Sequence, residues 1–226
     1  MQLHEIEGPA GKLEARIDEP ALRGIGADGR WNPGAGVTPT NGKRLRAAVV
    51  LGHPHTEYGG TMHTKVLYQA AKALSRIGCE TLRFNFRGAG TSAGHFTNGP
   101  GEMEDFRAAL DFMHARHPGA PLWAGGMSFG GWVGLTVGAE DRRVSALLGI
   151  SLPVATYDFE NVARSTTAKF FIQGERDELC SMDVMREFYA RAAEPKELVI
   201  IDGADHLFDG RVGEVADAIE DLLGDL

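Results

Sequence analysis

The sequence is poor in cysteine, which excludes two kinds of stabilising or reactive centre. Of its 226 residues, only Cys79 and Cys180 are cysteines. Two cysteines are too few for a disulfide framework, and no Cys-x-x-Cys spacing indicates zinc or redox chemistry. We therefore expect both to be reduced and structural. The alternative is thiol sensitivity at Cys180, which lies close to a candidate site residue.

The sequence also lacks a basic segment and a long apolar run. It has 23 Lys and Arg against 31 Asp and Glu, a formal net charge of −8. This balance disfavours nucleic acids and membranes as partners. The N-terminal segment MQLHEIEGPAGKLEARIDEP is charged throughout, with no apolar core of a signal peptide or membrane span. We expect a cytoplasmic protein with a small-molecule partner, and the sequence leaves its oligomeric state open.

What the chain does have is the composition of an ordinary globular protein, 43% hydrophobic and 24% charged. At this length we expect one α/β domain spanning residues 1–226. From residue 46, short β-branched runs alternate with helical patterns, which is typical of a mostly parallel, doubly wound sheet with helices on both faces. Core strands are predicted at 46–53, 81–87, 121–127, 144–151, 169–175 and 197–203.

Helices are predicted between these strands, and the N-terminal region is predicted to add an edge strand. That edge strand is GKLEARIDEP, residues 11–20. Residues 22–44 are rich in Gly, Pro, Asn and Thr and predict a surface loop near this edge, with a substrate-contacting flap carrying Trp31 as the alternative. The predicted helices are 62–78, 101–117, 129–141, 181–193 and 211–223.

One serine stands between paired glycines, in the stretch AGGMSFGGWVG. Gly126, Ser128 and Gly130 form the pattern Gly-x-Ser-x-Gly, which by itself is weak in a chain with 30 glycines. The context strengthens it, because Ser128 follows a predicted strand and precedes a predicted helix, as a nucleophile elbow requires. The glycines then give clearance at a tight turn, and the helix N-terminus can stabilise negative charge beside the serine.

Further segments accompany this motif: GHPHTEYGGTMHTKV, LRFNFRGAGTSAGHF, GEMEDFRAALDFM, GERD and GADHLF. With them, the chain from about residue 46 resembles the α/β-hydrolase superfamily, and more narrowly its small lidless bacterial serine hydrolases related to the dienelactone-hydrolase group. Two positions depart from that pattern. Dienelactone hydrolases have a cysteine nucleophile where this chain has Ser128, and many members have aspartate in place of Asn85. The resemblance therefore implies a carboxylesterase-like acyl hydrolase, with a structural role for Asn85.

A serine nucleophile needs a histidine base and an acid that orients the histidine. In α/β-hydrolases the chain order is serine, acid, histidine. Only His206 follows Ser128 in this sequence. We expect Asp177 to be the acid, because it lies two residues beyond a predicted strand. A helix-capping role for Asp177 is one alternative. Three other acids remain open for the catalytic position: the neighbouring Glu175 and Glu178, and Asp158, which follows the preceding strand.

The resemblance also implies two backbone N–H groups that hold the oxyanion of the reaction. One belongs to Phe129. The other is expected from His55, in the loop VVLGHPHTEYGG, where Gly59 and Gly60 let the loop approach the site. Alternatively, His53 and His55 are a metal pair, although the sequence offers no evident third ligand. The expected mechanism requires no metal or organic cofactor.

Residues 152–168 alone separate the fourth and fifth predicted core strands, which leaves no room for the helical lid of many superfamily members. An open site predicts esters of small or exposed acyl groups, with weak discrimination among them. Trp123 and Trp132 are expected in the core. Candidate substrate contacts are aromatic residues of the surrounding loops: Tyr58, Phe96, Tyr157, Phe159 and Phe208.

Together these features predict a serine hydrolase that cleaves carboxylic esters through an acyl-enzyme. The same side chains would serve a thioesterase, an amidase or an acyltransferase. A hydrolase-fold protein that binds without turnover is the remaining alternative, and an activated Ser128 is the property that would exclude it.

Overall fold

A computed structural model describes residues 3–21 and 45–226 of the chain. The predicted loop 22–44, with Trp31, lies outside the described residues. The strands are β1 (Leu3–Gly8), β2 (Gly11–Asp18), β3 (Ala48–Gly52), β4 (Glu80–Phe84), β5 (Leu122–Met127), β6 (Val144–Ile150), β7 (Ala168–Gly174) and β8 (Lys196–Ile201). The α-helices are α1 (Lys65–Arg76), α2 (Pro100–Arg116), α3 (Phe129–Glu140), α4 (Glu160–Arg164), α5 (Met182–Arg191) and α6 (Val212–Leu223).

The strands form one sheet in the order β1-β2-β4-β3-β5-β6-β7-β8. From β4 to β8 neighbouring strands are parallel, whereas β1 and β2 are antiparallel additions at one edge. The chain first moves from β3 to β4 on one side and then crosses to β5 on the other. The carboxyl ends of β3 and β5 therefore flank a switch point, where open α/β sheets place their ligands. The predicted fold class is confirmed.

Helices cover both faces of the sheet because its central strands are apolar on both sides. β3, β4 and β5 are buried along their whole lengths. One apolar cluster lies between the sheet and α1 and α6, and the other lies between the sheet and α2, α3, α4 and α5. All six predicted core strands and all five predicted helices are present, with ends shifted by a few residues.

The strand predicted at the edge of the sheet, residues 11–20, is second from the edge, which corrects the expectation from the sequence. Residues 11–20 contribute β2, and β1 covers its outer side through a hairpin that pairs Gly8 with Gly11. In the segment LHEIEG of β1, the apolar residues Leu3 and Ile6 are three positions apart and do not alternate with polar residues, so the sequence gives no clear strand signal there.

The connection between β6 and β7 lies entirely within the described residues and contains only the short helix α4 with its flanking loops. The sequence did not predict α4. This connection forms no helical domain over the carboxyl ends of the strands. In the part of the chain that the structure describes, no helix is long and apolar enough to cross a membrane.

Both cysteines are buried free thiols. Burial raises the pKa of Cys79 to about 12. Burial also raises the pKa of Cys180, and the negative charge of Asp177 raises it further. Both groups therefore stay protonated at neutral pH, the form in which a thiol is a poor nucleophile.

Candidate active site

Ser128 lies between β5 and α3 in a strained backbone conformation. Its φ of 54° and ψ of −123° are unusual for a residue with a side chain. The N–H of Ser128 donates to the carbonyl of Ile150 at the end of β6 (2.9 Å), which ties the turn to the neighbouring strand. The structure thus has the strand-turn-helix geometry that the Gly-x-Ser-x-Gly pattern predicts.

The glycines around Ser128 are required by close backbone contacts. A Cβ atom on Gly126 would lie 2.5 Å from the carbonyl oxygen of Gly130. A Cβ atom on Gly130 would overlap the backbone of Gly52 and His53, at the end of β3. Because these neighbours are backbone atoms, they cannot move aside as a flexible side chain would. The turn therefore packs directly on β3.

The three side chains expected to act together are brought together. Ser128 Oγ lies 3.0 Å from His206 Nε2, and His206 Nδ1 lies 2.9 Å from Asp177 Oδ2. Asp177 lies in the loop after β7, and His206 lies in the loop after β8. Each of the three residues is at most 8% exposed. Since a carboxylate only accepts hydrogen bonds, Nδ1 carries the proton and Nε2 is free to accept one from Ser128.

The carboxylate of Asp177 accepts four hydrogen bonds. Oδ1 accepts the backbone N–H groups of Leu179 (2.8 Å) and Cys180 (3.0 Å). Oδ2 accepts the side-chain amide of Gln173 (2.7 Å) as well as the histidine. These bonds hold the carboxylate beside His206 and join it to the loop that leads into α5.

The three alternative acids lie in other contacts. Asp158 accepts the N–H of Glu160 (2.8 Å), at the start of α4. Glu175 accepts the N–H of Gly203 (2.8 Å). Glu178 accepts the backbone N–H of His206 (3.2 Å) and so holds the histidine loop, but it does not contact the imidazole within hydrogen-bond distance.

Two buried residues that the sequence analysis did not identify support this arrangement. Gln173 donates to Asp177 while its carbonyl oxygen accepts the N–H of Leu152 (3.1 Å), so it bridges two loops. Ser151, with a φ of 46°, donates its hydroxyl to the carbonyl of His206 (2.9 Å). The only sequence signal for Gln173 is a polar residue in the apolar strand KFFIQGE.

The two N–H groups expected to hold the oxyanion are those of Phe129 and His55. Among the described residues, neither has a backbone or side-chain acceptor. The His55 carbonyl accepts the N–H groups of Tyr58 (3.1 Å) and Gly60 (3.0 Å), which closes its loop into a tight turn. Gly59 adopts a left-handed φ of 82°, and a Cβ atom on Gly60 would overlap the Pro54 carbonyl.

His53 and Asn85 are structural. The Nδ1–H of His53 donates to the carbonyl of Pro54 (2.6 Å), and its Nε2 accepts the N–H of Phe86 (3.0 Å). Burial lowers the pKa of His53 to about 4, so the ring is neutral and both nitrogens are occupied. Asn85 accepts the N–H of Met62 and donates to Glu14, both at 2.8 Å. Among the described residues, no group of three or more His, Cys, Asp or Glu is arranged to hold a metal ion.

The aromatic candidates divide into two groups. Tyr58 is 87% exposed, and Phe96 and Tyr157 are half-buried. Phe159 and Phe208 are 3% and 0% exposed and lie in the hydrophobic core, so the expectation that they contact substrate is wrong. Position in a loop does not reveal the direction of a side chain, and both rings turn inward to fill the space between helices and sheet.

The two tryptophans also differ. Trp123 is buried in the core, as expected. Trp132 is half-buried, and its ring stacks on Tyr157 with centroids 4.3 Å apart. Its indole N–H donates to the carbonyl of Asp158 (2.9 Å), so the ring pair is fixed at the first turn of α3.

Comparisons with known proteins agree with this architecture. A sequence profile described as an alpha/beta hydrolase domain matches residues 45–221. A protein of Rickettsia prowazekii (strain Madrid E), described as uncharacterized, is 38% identical over 227 residues, covering 96% of this chain and 87% of the relative.

Two solved structures are also similar to this chain. An alpha-beta serine hydrolase homologue from Coxiella burnetii is 31% identical, with a TM-score of 0.84 over 98% of this chain and 97% of that one. A serine hydrolase without a lid from Xanthomonas campestris is 29% identical, with a TM-score of 0.82 over 97% of this chain and 92% of that one. Because the profile match spans most of the sequence, the chain belongs to the α/β-hydrolase family.

Proposed function

We propose that this protein is a serine hydrolase that cleaves carboxylic esters of small or exposed acyl groups through an acyl-enzyme on Ser128. The observation that carries the proposal is the continuous hydrogen-bond chain from Ser128 Oγ through His206 to Asp177, with links of 3.0 and 2.9 Å. A serine hydroxyl hydrogen-bonded to a neutral, oriented imidazole is the arrangement that activates serine for acyl transfer.

The first half of the reaction forms the acyl-enzyme. His206 Nε2 takes the hydroxyl proton of Ser128 as Oγ bonds to the ester carbonyl carbon. Asp177 keeps Nδ1 protonated and stabilises the imidazolium that forms. When the tetrahedral intermediate collapses, the bond to the alcohol oxygen breaks, and His206 gives its proton to the departing alcohol.

Hydrolysis of the acyl-enzyme repeats these steps with water. His206 removes a proton from the water as its oxygen attacks the acyl carbon, and then returns that proton to Ser128 Oγ as the acid leaves. The free enzyme is thereby restored.

Negative charge on the carbonyl oxygen is stabilised by the N–H groups of Phe129 and His55. Phe129 is the first residue of α3, a helix of 12 residues, so its N–H also lies at the positive end of the helix dipole. The N–H of His55 comes from the loop that packs against the same turn. Removing one such donor in other enzymes costs roughly 100- to 1,000-fold in kcat.

The decisive experiment combines ester hydrolysis with covalent labelling. Wild-type protein and Ser128→Ala are compared with Ser145→Ala, which makes the same chemical change at the exposed start of β6. With p-nitrophenyl acetate, Ser128→Ala should lose about three to six orders of magnitude in kcat/KM. Ser145→Ala should retain wild-type activity.

A fluorophosphonate probe should label wild-type protein and Ser145→Ala but not Ser128→Ala. The proposal is wrong if Ser128→Ala keeps most of the esterase activity, or if a folded wild-type protein neither hydrolyses the ester nor reacts with the probe. A parallel panel of thioesters and anilides measures whether ester cleavage is the preferred reaction.

A further inference from the structure

Six aromatic rings beside Ser128 contact one another in series, and we call them the aromatic arc. The central ring, Phe129, is only 1% exposed and supports the other five from within the core. His55 contacts Tyr58 and Phe96 with centroid distances of 4.6 and 4.5 Å. Phe129 contacts both His55 (5.2 Å) and Phe96 (5.4 Å). On its other side, Phe129 contacts Trp132 (5.6 Å) and Tyr157 (5.9 Å). The arc therefore consists of His55, Tyr58, Phe96, Phe129, Trp132 and Tyr157.

The backbone links this arc to the candidate reaction centre. Phe129 follows Ser128 directly, and the N–H of Trp132 donates to the Ser128 carbonyl (3.0 Å). Phe129 and His55 are also the residues whose N–H groups would hold the ester oxyanion. Of these two residues, His55 has a half-buried ring in contact with Tyr58 and Phe96, so an ester carbonyl held at its N–H would bring a substituent toward this end of the arc.

The arc is largely preformed. The stacked pair of Trp132 and Tyr157 is fixed by the indole hydrogen bond to Asp158. Burial raises the pKa of Tyr157, and the nearby Tyr58 raises it further, so the Tyr157 hydroxyl stays neutral at neutral pH. Aromatic rings held in this way need little reorganisation when they bind another ring.

Tyr58 is the exposed end of the arc. It is 87% exposed and belongs to the short 3-10 turn Thr56–Tyr58, where it stands against the ring of His55. This large aromatic side chain, in the loop that carries the proposed oxyanion donor His55, has a free face toward solvent. A planar ring on the substrate could cover this face and remove apolar surface from water.

We propose that the aromatic arc binds an aryl ring carried by the ester substrate. This inference rests on the proposed function, because it names a substrate class for the same Ser128 site. The ring that the arc binds belongs either to the acyl part or to the alcohol part of the ester, and in both cases it is a planar aromatic group. Offset-stacked and edge-to-face contacts favour a planar ring over a saturated ring of the same size.

The test uses two ester pairs that compare a planar phenyl ring with a cyclohexyl ring of the same carbon number, and each kcat/KM ratio is divided by the ratio of the hydroxide-catalysed rates. Methyl phenylacetate and methyl cyclohexylacetate test the acyl part, while benzyl acetate and cyclohexylmethyl acetate test the alcohol part. For the part that the arc binds, the wild-type kcat/KM ratio of aryl to cyclohexyl ester should be roughly 3 to 10.

Two variants test whether the aromatic arc causes the preference for the aryl ester. Tyr58→Ala and Tyr157→Leu should reduce it toward 1, mainly through a higher KM for the aryl ester. Ser145→Ala, at the exposed start of β6 and outside the arc, should keep both the wild-type ratio and the wild-type rate of ethyl acetate hydrolysis. Tyr58→Phe keeps the ring and should keep the wild-type ratio.

The inference is overturned if wild-type ratios are near 1 in both pairs, or if neither Tyr58→Ala nor Tyr157→Leu changes them. In that case, retained fluorophosphonate labelling of Ser128 would leave the proposed esterase function standing. Absence of labelling in a folded wild-type protein would instead contradict the proposed function itself, so the two failures are distinguishable.

Discussion

The two sides of the candidate site are built in opposite ways. Ser128, Asp177 and His206 are almost fully buried, and hydrogen bonds fix the relative positions of their side chains. The aromatic arc is held by ring contacts, and at Tyr58 it opens to solvent. Reaction chemistry tolerates little displacement of the reacting groups, whereas ring contacts can change gradually. Substitutions on the first side should therefore abolish turnover, and substitutions on the second should change substrate preference.

In the buried group of Ser128, Asp177 and His206, Asp177→Asn should cause a large loss of turnover. The asparagine amide can donate to His206 Nδ1, which would move the ring proton to Nε2 and remove the acceptor for the Ser128 proton. We expect kcat to fall by about four orders of magnitude with the fold intact. Steady-state kinetics with p-nitrophenyl acetate would measure this loss.

Asp183→Asn is the matched control, since Asp183 is an exposed aspartate in the first turn of α5. It should behave as wild type. Full activity in Asp177→Asn would mean that another acid orients His206. Glu178 would then be the first candidate, because it accepts the backbone N–H of His206.

Aromatic residues of the site loops provide a second comparison, because Phe208 is buried and Tyr58 is exposed. Phe208→Ala should lower the free energy of unfolding by about 3–5 kcal/mol, through lost burial and a cavity in the core. Tyr58→Ala should change it by less than about 0.5 kcal/mol. Urea unfolding followed by circular dichroism would measure both. Equal destabilisation by the two variants would contradict the division of the aromatic candidates into core and surface.

A smaller effect is expected at Gln173, which acts on the reaction only through Asp177. Gln173→Met keeps the side-chain length but removes the amide donor to Asp177 and leaves the Leu152 N–H without its acceptor. We expect kcat to fall about tenfold at unchanged KM, the loss of roughly one hydrogen bond to a charged group. The rate of fluorophosphonate labelling should fall by the same factor.

A double-mutant cycle separates positioning from general destabilisation. In the Asp177→Asn background, Gln173→Met should have almost no further effect on kcat, because the carboxylate that Gln173 orients is gone. An undiminished tenfold loss in that background would mean that Gln173 does not act through Asp177.

Much of the fold was predictable because it depends on local patterns. Five of the six core strands carry consecutive apolar residues, β4 alternates apolar with polar residues, and the helices between the strands have clear stop signals. β1 was not predictable, since its short segment is stabilised by pairing with β2 rather than by its own composition. α4 was not predicted either, because its five residues are too few to show a helical period.

The candidate site was predictable to the extent that it depends on chain order and spacing. The glycine pattern selected Ser128, and His206 is the one histidine that follows it. The sequence could not separate Asp177 from its acidic neighbours with the same clarity. It also gave the wrong side-chain direction for Phe159 and Phe208, which depends on how each loop turns relative to the core.

By itself, the sequence determined a mostly parallel α/β fold and a serine on a glycine-lined turn, because apolar periodicity and steric clearance are local properties. Only the tertiary structure decided that Asp177 meets His206, that Gln173 and Ser151 hold these loops, and that six rings meet beside Ser128. These contacts join segments far apart in sequence. They form only when the parallel strands bring their carboxyl ends to one edge of the sheet.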